Sequence, residues 1–455
     1  MKSLGLGLLA ITVVLAACGG GSSATPTPTV APTAIPTGTV EHAPLTLDLW
    51  SPWGADQKEA LDALFTACQT RYPWMTINHT SKPDKMDEAL LASVTAGNPP
   101  DAAMTFSPEL LGQIAKQEIA LPLDDFATRD AIDWNAYTAG ALTFSSFEGK
   151  HYALPFAEDA YGLFYNRKML AAAGFSAPPE TLSQLDELNQ KLTKLDASGN
   201  IVQMGFLPPE SGYPDTPVSF YLGLFGGKVL SEDLATSTIG TDPTIPEMLR
   251  WQKHIYDMFG AEKVKTFQAG FGNYDSKDHP FLKGQLAMVM SGEWLAGYPE
   301  RYLGASKLDF GVSTFPYPDQ HPDRKGFAGV GGNILMIPRG SKHPEEAWAL
   351  IKCLATDADA NAAFNKAIGN IPPTKAAIAA SSEQSNPTFK PFLDLALAPN
   401  ATFDQISPIG DAVTEPLGKV TERYLAGKID DADLAAALMK AQTEAQAQLD
   451  QENAP

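Results

Sequence analysis

Three observations predict an α/β fold. From Leu45 onward, short apolar runs alternate with amphipathic helical patterns. The first such run, Leu45-Thr46-Leu47-Asp48-Leu49-Trp50, alternates with period two, and the stretch after it carries apolar residues at spacings of three, four and seven. At 455 residues, 44% of them hydrophobic and 19% charged, the chain has room for two or three domains with buried cores.

The elements follow in order. Residues 45–50 read as a strand, 51–56 as a loop, and Leu61, Leu64, Phe65, Cys68 and Tyr72 as one face of a helix. Met75-Thr76-Ile77 predicts a second strand, 86–96 a second helix and 101–106 a third strand, which together make a βαβαβ unit with a parallel sheet. Gly149-Lys150 suits a tight turn into a strand at 151–156. Thr181-Leu182-Ser183-Gln184 matches a capping box, with Leu185, Leu188, Leu192 and Leu195 as the buried stripe of its helix. Asp196-Ala197-Ser198-Gly199-Asn200 resembles half a calcium loop, but Leu207 stands where the twelfth-position carboxylate belongs, so a plain turn is expected. Pro344, Glu345 and Glu346 open a further helix with Ala347, Leu350, Ile351 and Leu354 on one face.

The amino end is an address. Lys2 precedes an apolar run at 4–17 that is shorter than the ~20 residues of a spanning helix. Residues 1–17 therefore read as a signal peptide. Its end, Leu15-Ala16-Ala17-Cys18, resembles a lipobox, which would leave Cys18 as a lipid anchor; the alternative is a plain signal peptide. Residues 18–44 are then a Pro/Thr-rich tether of extended geometry. This predicts an extracytoplasmic protein held to a bacterial membrane.

Composition excludes several functions. With 33 basic and 53 acidic side chains the net charge is -20, which disfavours nucleic acid and anionic lipid surfaces as partners. The three cysteines, Cys18, Cys68 and Cys353, are too few for a disulfide framework. A Cys68–Cys353 bridge can be drawn, but two free buried thiols are expected. No HExxH, GxSxG, GxxxxGKS/T or CxxC pattern occurs, the seven histidines are scattered, and Gly329-Val330-Gly331-Gly332-Asn333-Ile334 fails as a dinucleotide fingerprint. The chain is read as a binding protein without metal, cofactor or catalytic residues.

Several motifs in series carry a resemblance. They are Arg71-Tyr72-Pro73, Ala96-Gly97-Asn98-Pro99-Pro100-Asp101, and Gly149-Lys150-His151-Tyr152-Ala153-Leu154-Pro155 leading to Leu163-Phe164-Tyr165-Asn166-Arg167-Lys168-Met169-Leu170. Farther on stand Phe281-Leu282-Lys283-Gly284-Gln285-Leu286-Ala287-Met288, Ser291-Gly292-Glu293-Trp294 and Gly331-Gly332-Asn333-Ile334. In order and spacing the chain resembles the family 1 extracellular solute-binding proteins of ABC importers, which are maltose-binding-protein-like. The resemblance implies a type II periplasmic-binding-protein fold: two α/β lobes that close on ligand like a flytrap, joined by a hinge crossed near Phe156, Phe315 and Gly369. One lobe would hold residues 45–156 and 316–368, the other 157–315 and 369–450. It also implies a monomer that delivers cargo to an ABC importer permease.

A sugar presents a C–H face and a hydroxyl rim, so its site needs aromatic platforms beside carboxylates and amides. Trp53 in the first strand-to-helix loop, Phe106 and Glu109 after the third strand, and Glu158 and Asp159 beyond the first crossing fit that need. Tyr213 and Trp294 would form the opposite wall, and Trp294 matches the family's stacking tryptophan by position. Gly332 and Asn333 could bring backbone and amide groups close. Plainer roles stand beside these: Glu158 or Asp159 as a cap or solvated acid, Glu109 as a surface acid, Trp50 as packing and Asp101 as structural. A carbohydrate, most simply an oligosaccharide, is the expected ligand. Glycerol phosphate esters, polyamines or peptides in the same fold, a lipid-anchored glycoside hydrolase using two of the carboxylates, and an adhesive surface protein are the alternatives.

Overall fold

In the computed structural model, which describes residues 42–83, 85–208, 218–304 and 308–452, the period-two stretch forms β1 (Leu45–Ser51). Helix α1 (Lys58–Arg71) buries Leu61, Leu64, Phe65 and Cys68, the stripe expected of an amphipathic helix. β2 (Met75–Ser81), α2 (Met86–Thr95) and β3 (Ala102–Thr105) follow. β1 pairs in parallel with both β2 and β3, so the βαβαβ unit is present. Residues 1–17, Cys18 and the rest of the tether through 41, together with Glu210-Ser211-Gly212-Tyr213, lie outside the described residues.

Five later strands join this unit: β4 (Leu154–Asn166), β5 (Met288–Gly292), β6 (Phe310–Ser313), β7 (Ala328–Met336) and β8 (Ala401–Thr402). They complete an eight-stranded sheet of main order β6-β4-β7-β3-β1-β2, with β5 also on β4 and β8 on β7. β7 is antiparallel to β3 and β4. The first half of β4 pairs with β7 and the second half with β5 and β6. The principal covering helices are α3 (Leu182–Leu192), α4 (Thr244–Phe259), α5 (Pro344–Thr356), α6 (Ala358–Ile368), α7 (Glu415–Leu425) and α8 (Asp431–Glu452).

Side-chain alternation divides the core. Leu47, Leu49, Ala102, Met104 and Leu335 face α1 and α5, whereas Ala103, Ile334 and Met336 pack with Met86 and Leu90 of α2 on the other face. Leu154 and Phe156 of β4 belong to the α1/α5 cluster. From Ala160 the same strand packs into a separate large cluster with Leu185 of α3, Leu249 of α4, Leu417 of α7 and Leu438 of α8. β7 makes the same change, with Ala328 and Val330 in the large cluster and Ile334 to Met336 in the others. Phe364 lies in the α1/α5 cluster; Phe315 and Ile371 lie in the large one. Two bodies therefore share continuous strands.

Three expectations are corrected. Cys68 and Cys353 are not free thiols: they form a disulfide with Cα atoms 5.8 Å apart across a sequence separation of 285. α1 and α5 lie on one face of the sheet and both cysteines are fully buried there, a proximity that only the tertiary fold creates. Leu195 is not on the α3 stripe, because the helix ends at Leu192 and Leu195 is 53% exposed on a two-residue strand. The strand expected at 151–156 is split. Lys150–His151 pairs with Ser146–Phe147 across a turn in which Glu148 and Gly149 both have positive φ, and the long strand starts at Leu154. Thr181 does cap α3 by accepting from Gln184 N, while Gln184 Oε1 accepts from Glu180 N at 2.8 Å, one residue earlier than a full capping box. Asp196 accepts from Ser198 N and Asn200 N and closes a plain turn.

Candidate functional site

Where the two bodies meet, a cleft of about 900 Å³ opens, within the range of small-molecule sites. One wall comes from the loop after β1. Ser51 Oγ holds His79 Nε2 at 2.7 Å and accepts from Trp53 N, and Gly54 N donates to Gln57 Oε1, so the loop is tied at both ends. Trp53 is wedged between Phe106, Phe156 and Phe364, with ring centroids 5.5, 5.5 and 4.8 Å away, and is largely buried at the cleft wall. Phe106, beyond β3, is 46% exposed and lies open in the cleft. An aromatic ring this bare at a concave site offers an apolar face for packing.

The opposite wall is built by the end of β5. Gly292 pairs with Tyr161 of β4, and Glu293 and Trp294 follow in a short 3₁₀ turn. A Cβ on Gly292 would lie 2.1 Å from the Trp294 ring, so the glycine makes the seat for the indole. Trp294 packs edge-on against Tyr161 at 5.7 Å and lines the cleft with Tyr298, one turn farther on.

Polar groups form the floor. Asp159 on β4 and Asn333 on β7 line the cleft, and the Asn370 side chain donates to the Asp159 carboxylate. Behind them Glu293 is fully buried, with Oε2 accepting from Ala160 N at 2.9 Å. Burial, then the Asp159 charge, raises the Glu293 carboxyl well above its ordinary value, and burial raises Asp159 too. Burial thus favours the neutral form of each carboxyl, and the two groups disfavour each other's charge. Two cations stand on the rim, each with a carboxylate partner: Arg301 with Asp275 at 3.5 Å and Lys366 with Glu383 at 3.9 Å.

Of the residues singled out in the sequence, Trp53, Phe106, Asp159, Trp294 and Asn333 meet in this cleft. Glu109 and Gly332 line a narrower cavity beside it. Glu158 is fully buried on the other side of β4, where Thr138 Oγ1 donates to its Oε2 at 2.5 Å, and burial raises its carboxyl well above the ordinary value. It does not line the cleft. Its backbone exchanges two hydrogen bonds with Ile371, at 2.7 and 3.0 Å, beside the floor. Tyr213 lies outside the described residues. Trp50 lies beneath the Lys82 ammonium, and Asp101 Oδ2 accepts from Asp48 N, both structural roles. Asn370, Tyr298 and Arg301 were not foreseen; for Tyr298 the signal was its place four residues past Trp294.

This geometry defines a class: a two-lobed α/β binding protein with a ligand cleft at the junction of its lobes. The profile of the bacterial extracellular solute-binding proteins matches residues 63–391, and the chain belongs to that family. The maltotriose-binding protein of Pyrococcus abyssi is 24% identical over 327 residues, which make up 71% of this chain and 65% of that protein, so the match spans just under two thirds of the relative's length. Among solved structures, CpMnBP1 with mannotriose bound is similar at a TM-score of 0.74 and 28% identity, covering 88% of this chain and 100% of the other. The sugar-binding protein MalE of Xanthomonas citri has a TM-score of 0.74 at 20% identity, covering 90% of this chain and 98% of the other, a likeness of fold. No helix among the described residues is long and apolar enough to cross a membrane.

Proposed function

We propose that the protein captures an oligosaccharide in the cleft by closure of its lobes and delivers it to the permease of an ABC importer. The observation that carries this reading is the cleft itself: aromatic rings on both walls, Phe106 and Trp53 facing Trp294 and Tyr298, over a floor of carboxylate and amides at Asp159, Asn333 and Asn370. That is the complement of a sugar's apolar face and hydroxyl rim. The names of the maltotriose- and mannotriose-binding relatives agree with it. A phosphate ester would need spare cations, and the two on the rim already have carboxylate partners.

The packing clusters support the hinge reading. In this reading the chain passes between lobes at 157–160 in β4, at 330–334 in β7 and at 369–371 after α6, where neighbouring residues change packing cluster. Closure rotates one lobe about these strands, and ligand favours the closed form through contacts that only both walls together provide. Catalysis is not part of the reading, and the protein acts as a monomer. Cys18 carries the lipid that holds it at the membrane. Growth of the host with labelled palmitate would label the wild-type chain and leave Cys18→Ala unlabelled; equal labelling would remove the anchor.

The test of cargo is a titration of purified protein with mono-, di- and trisaccharides, followed by tryptophan emission and thermal unfolding. A bound sugar at a hundred times its Kd stabilises by about 2.7 kcal/mol. A flat response to the whole panel would defeat the oligosaccharide assignment.

A further inference from the structure

Off the cleft opens a second cavity of about 110 Å³, far above the ~10–15 Å³ that one water needs. It shares Phe106 and Asp159 with the cleft, so the two are continuous. Its walls are mostly carbon, from Tyr161, Phe220, Phe327 and Phe403, with Glu109, Thr402 and Asp404 as further polar groups. One side is bare backbone. A Cβ on Gly329 would lie 2.2 Å from Phe220, and one on Gly332 would lie 2.3 Å from the Ala157 carbonyl oxygen, so both must stay glycine. At Gly331 the nearest atom would be Asp159 Oδ2 at 3.9 Å, which leaves open room there.

A sugar ring lying on Phe106 would direct one substituent into this chamber. A hydroxyl among those rings loses its water and gains little in return, whereas a methyl group is welcome. The polar complement is Glu109, on the 3₁₀ turn Pro108–Leu110. Burial first, then the charges of Asp411 and Asp87, push its pKa up to about 8, while the Ser107 side chain acts in the opposite sense. At neutral pH it keeps its proton and offers one donor and one acceptor, the counterpart of an amide's carbonyl and N–H.

We propose that the side cavity receives an acetamido substituent, so that the cargo is an oligosaccharide with an N-acetylated amino sugar at the unit over Phe106. This rests on the oligosaccharide reading of the cleft and narrows it. The 2-acetamido group places its methyl among the phenylalanines and its amide against Glu109. Asp159 accepts from a ring hydroxyl at the mouth.

The experiment is calorimetric titration of the full chain at pH 7 with matched sugars that differ only in acetamido or hydroxyl at C2. The series covers gluco, galacto and manno forms from mono- to trisaccharide. At least one acetamido sugar should bind ten-fold or more tightly than its hydroxyl partner. Gly331→Leu, which fills the chamber, and Glu109→Leu should bring that ratio near one; Glu109→Gln, which keeps a donor and an acceptor, should preserve it. Thermal midpoints confirm folding, and Gly331→Ala, with ordinary contacts, should lower the ratio several-fold if the leucine variant does not fold. Hydroxyl sugars binding as well as their partners, or a ratio that survives in folded Gly331→Leu, would overturn the side-cavity assignment and leave sugar capture standing. Failure of every sugar in both sets would overturn both.

Discussion

The two bodies that flank the cleft are held together differently. The first wraps helices around both faces of a mixed sheet, and Cys68–Cys353 fastens α1 to α5 on one of those faces. The second has no disulfide among the described residues and relies on interlocked rings. Phe164 lies 5.4 Å from Phe392, Phe206 5.7 Å from Phe315, and Phe220 5.5 Å from Phe327. A hinged binder needs each lobe to move as a unit, and the chain reaches that rigidity once by a covalent tie and once by aromatic packing. The tie acts largely on the unfolded chain, whereas the rings act through contacts in the folded one.

That contrast can be broken from the aromatic side first. Phe164→Ala removes a fully buried ring from the second body and should cost about 3–5 kcal/mol. Hydrogen exchange should quicken in α4 and α7 well before α1; equal loss of protection in both bodies would mean that they unfold as one unit. Removing the tie with Cys68→Ala and Cys353→Ala should cost about 2–4 kcal/mol. Here the loss of protection should centre on α1 and α5. Next in size is Trp294→Ala, the wall residue seated by Gly292. It should weaken sugar binding by about 2 kcal/mol, roughly thirty-fold, with little change in melting temperature, as expected of a binding hot spot. A melting point that falls with affinity intact would make Trp294 a core residue instead.

The last comparison is by pH, and it reads buried carboxyls at the join between the bodies together with Asp186 on α3. Burial, the leading cause in each case, raises Glu109 to about 8, Asp186 to about 6, and Asp159, Glu158 and Glu293 above their ordinary values. Unfolded, these groups ionise near pH 4 to 4.5. Folding therefore takes up protons above that pH, and their contribution to stability is largest on the acid side and shrinks as pH climbs toward 8. Melting temperatures should fall from pH 5 to pH 8, and Glu158→Gln should flatten part of the slope. A rise over that range would show these groups ionised in the native state.

Much of the first body could be read from its residues, because period-two and period-3.6 patterns in β1, α1, β2, α2 and β3 report directly which side is buried. The length of β4 could not. Its middle, Ala157-Glu158-Asp159-Ala160, reads as polar and ends the apparent strand, although Glu158 is buried and paired through its backbone with Ile371. The disulfide was invisible for a similar reason, since 285 residues separate its ends. At the site, motif order located the Trp294 and Asn333 segments and residue chemistry suggested the aromatic walls. Asn370 and Phe403 reach their cavities through chain crossings that no local pattern encodes.

One peptide bond separates Asp159, whose side chain lines the cleft, from Glu158, whose backbone is latched to Ile371. On the proposed reading, recognition and torsion fall on the same short piece of backbone. A substitution at Asp159 is then expected to shift affinity and the ease of opening for release together, rather than one without the other.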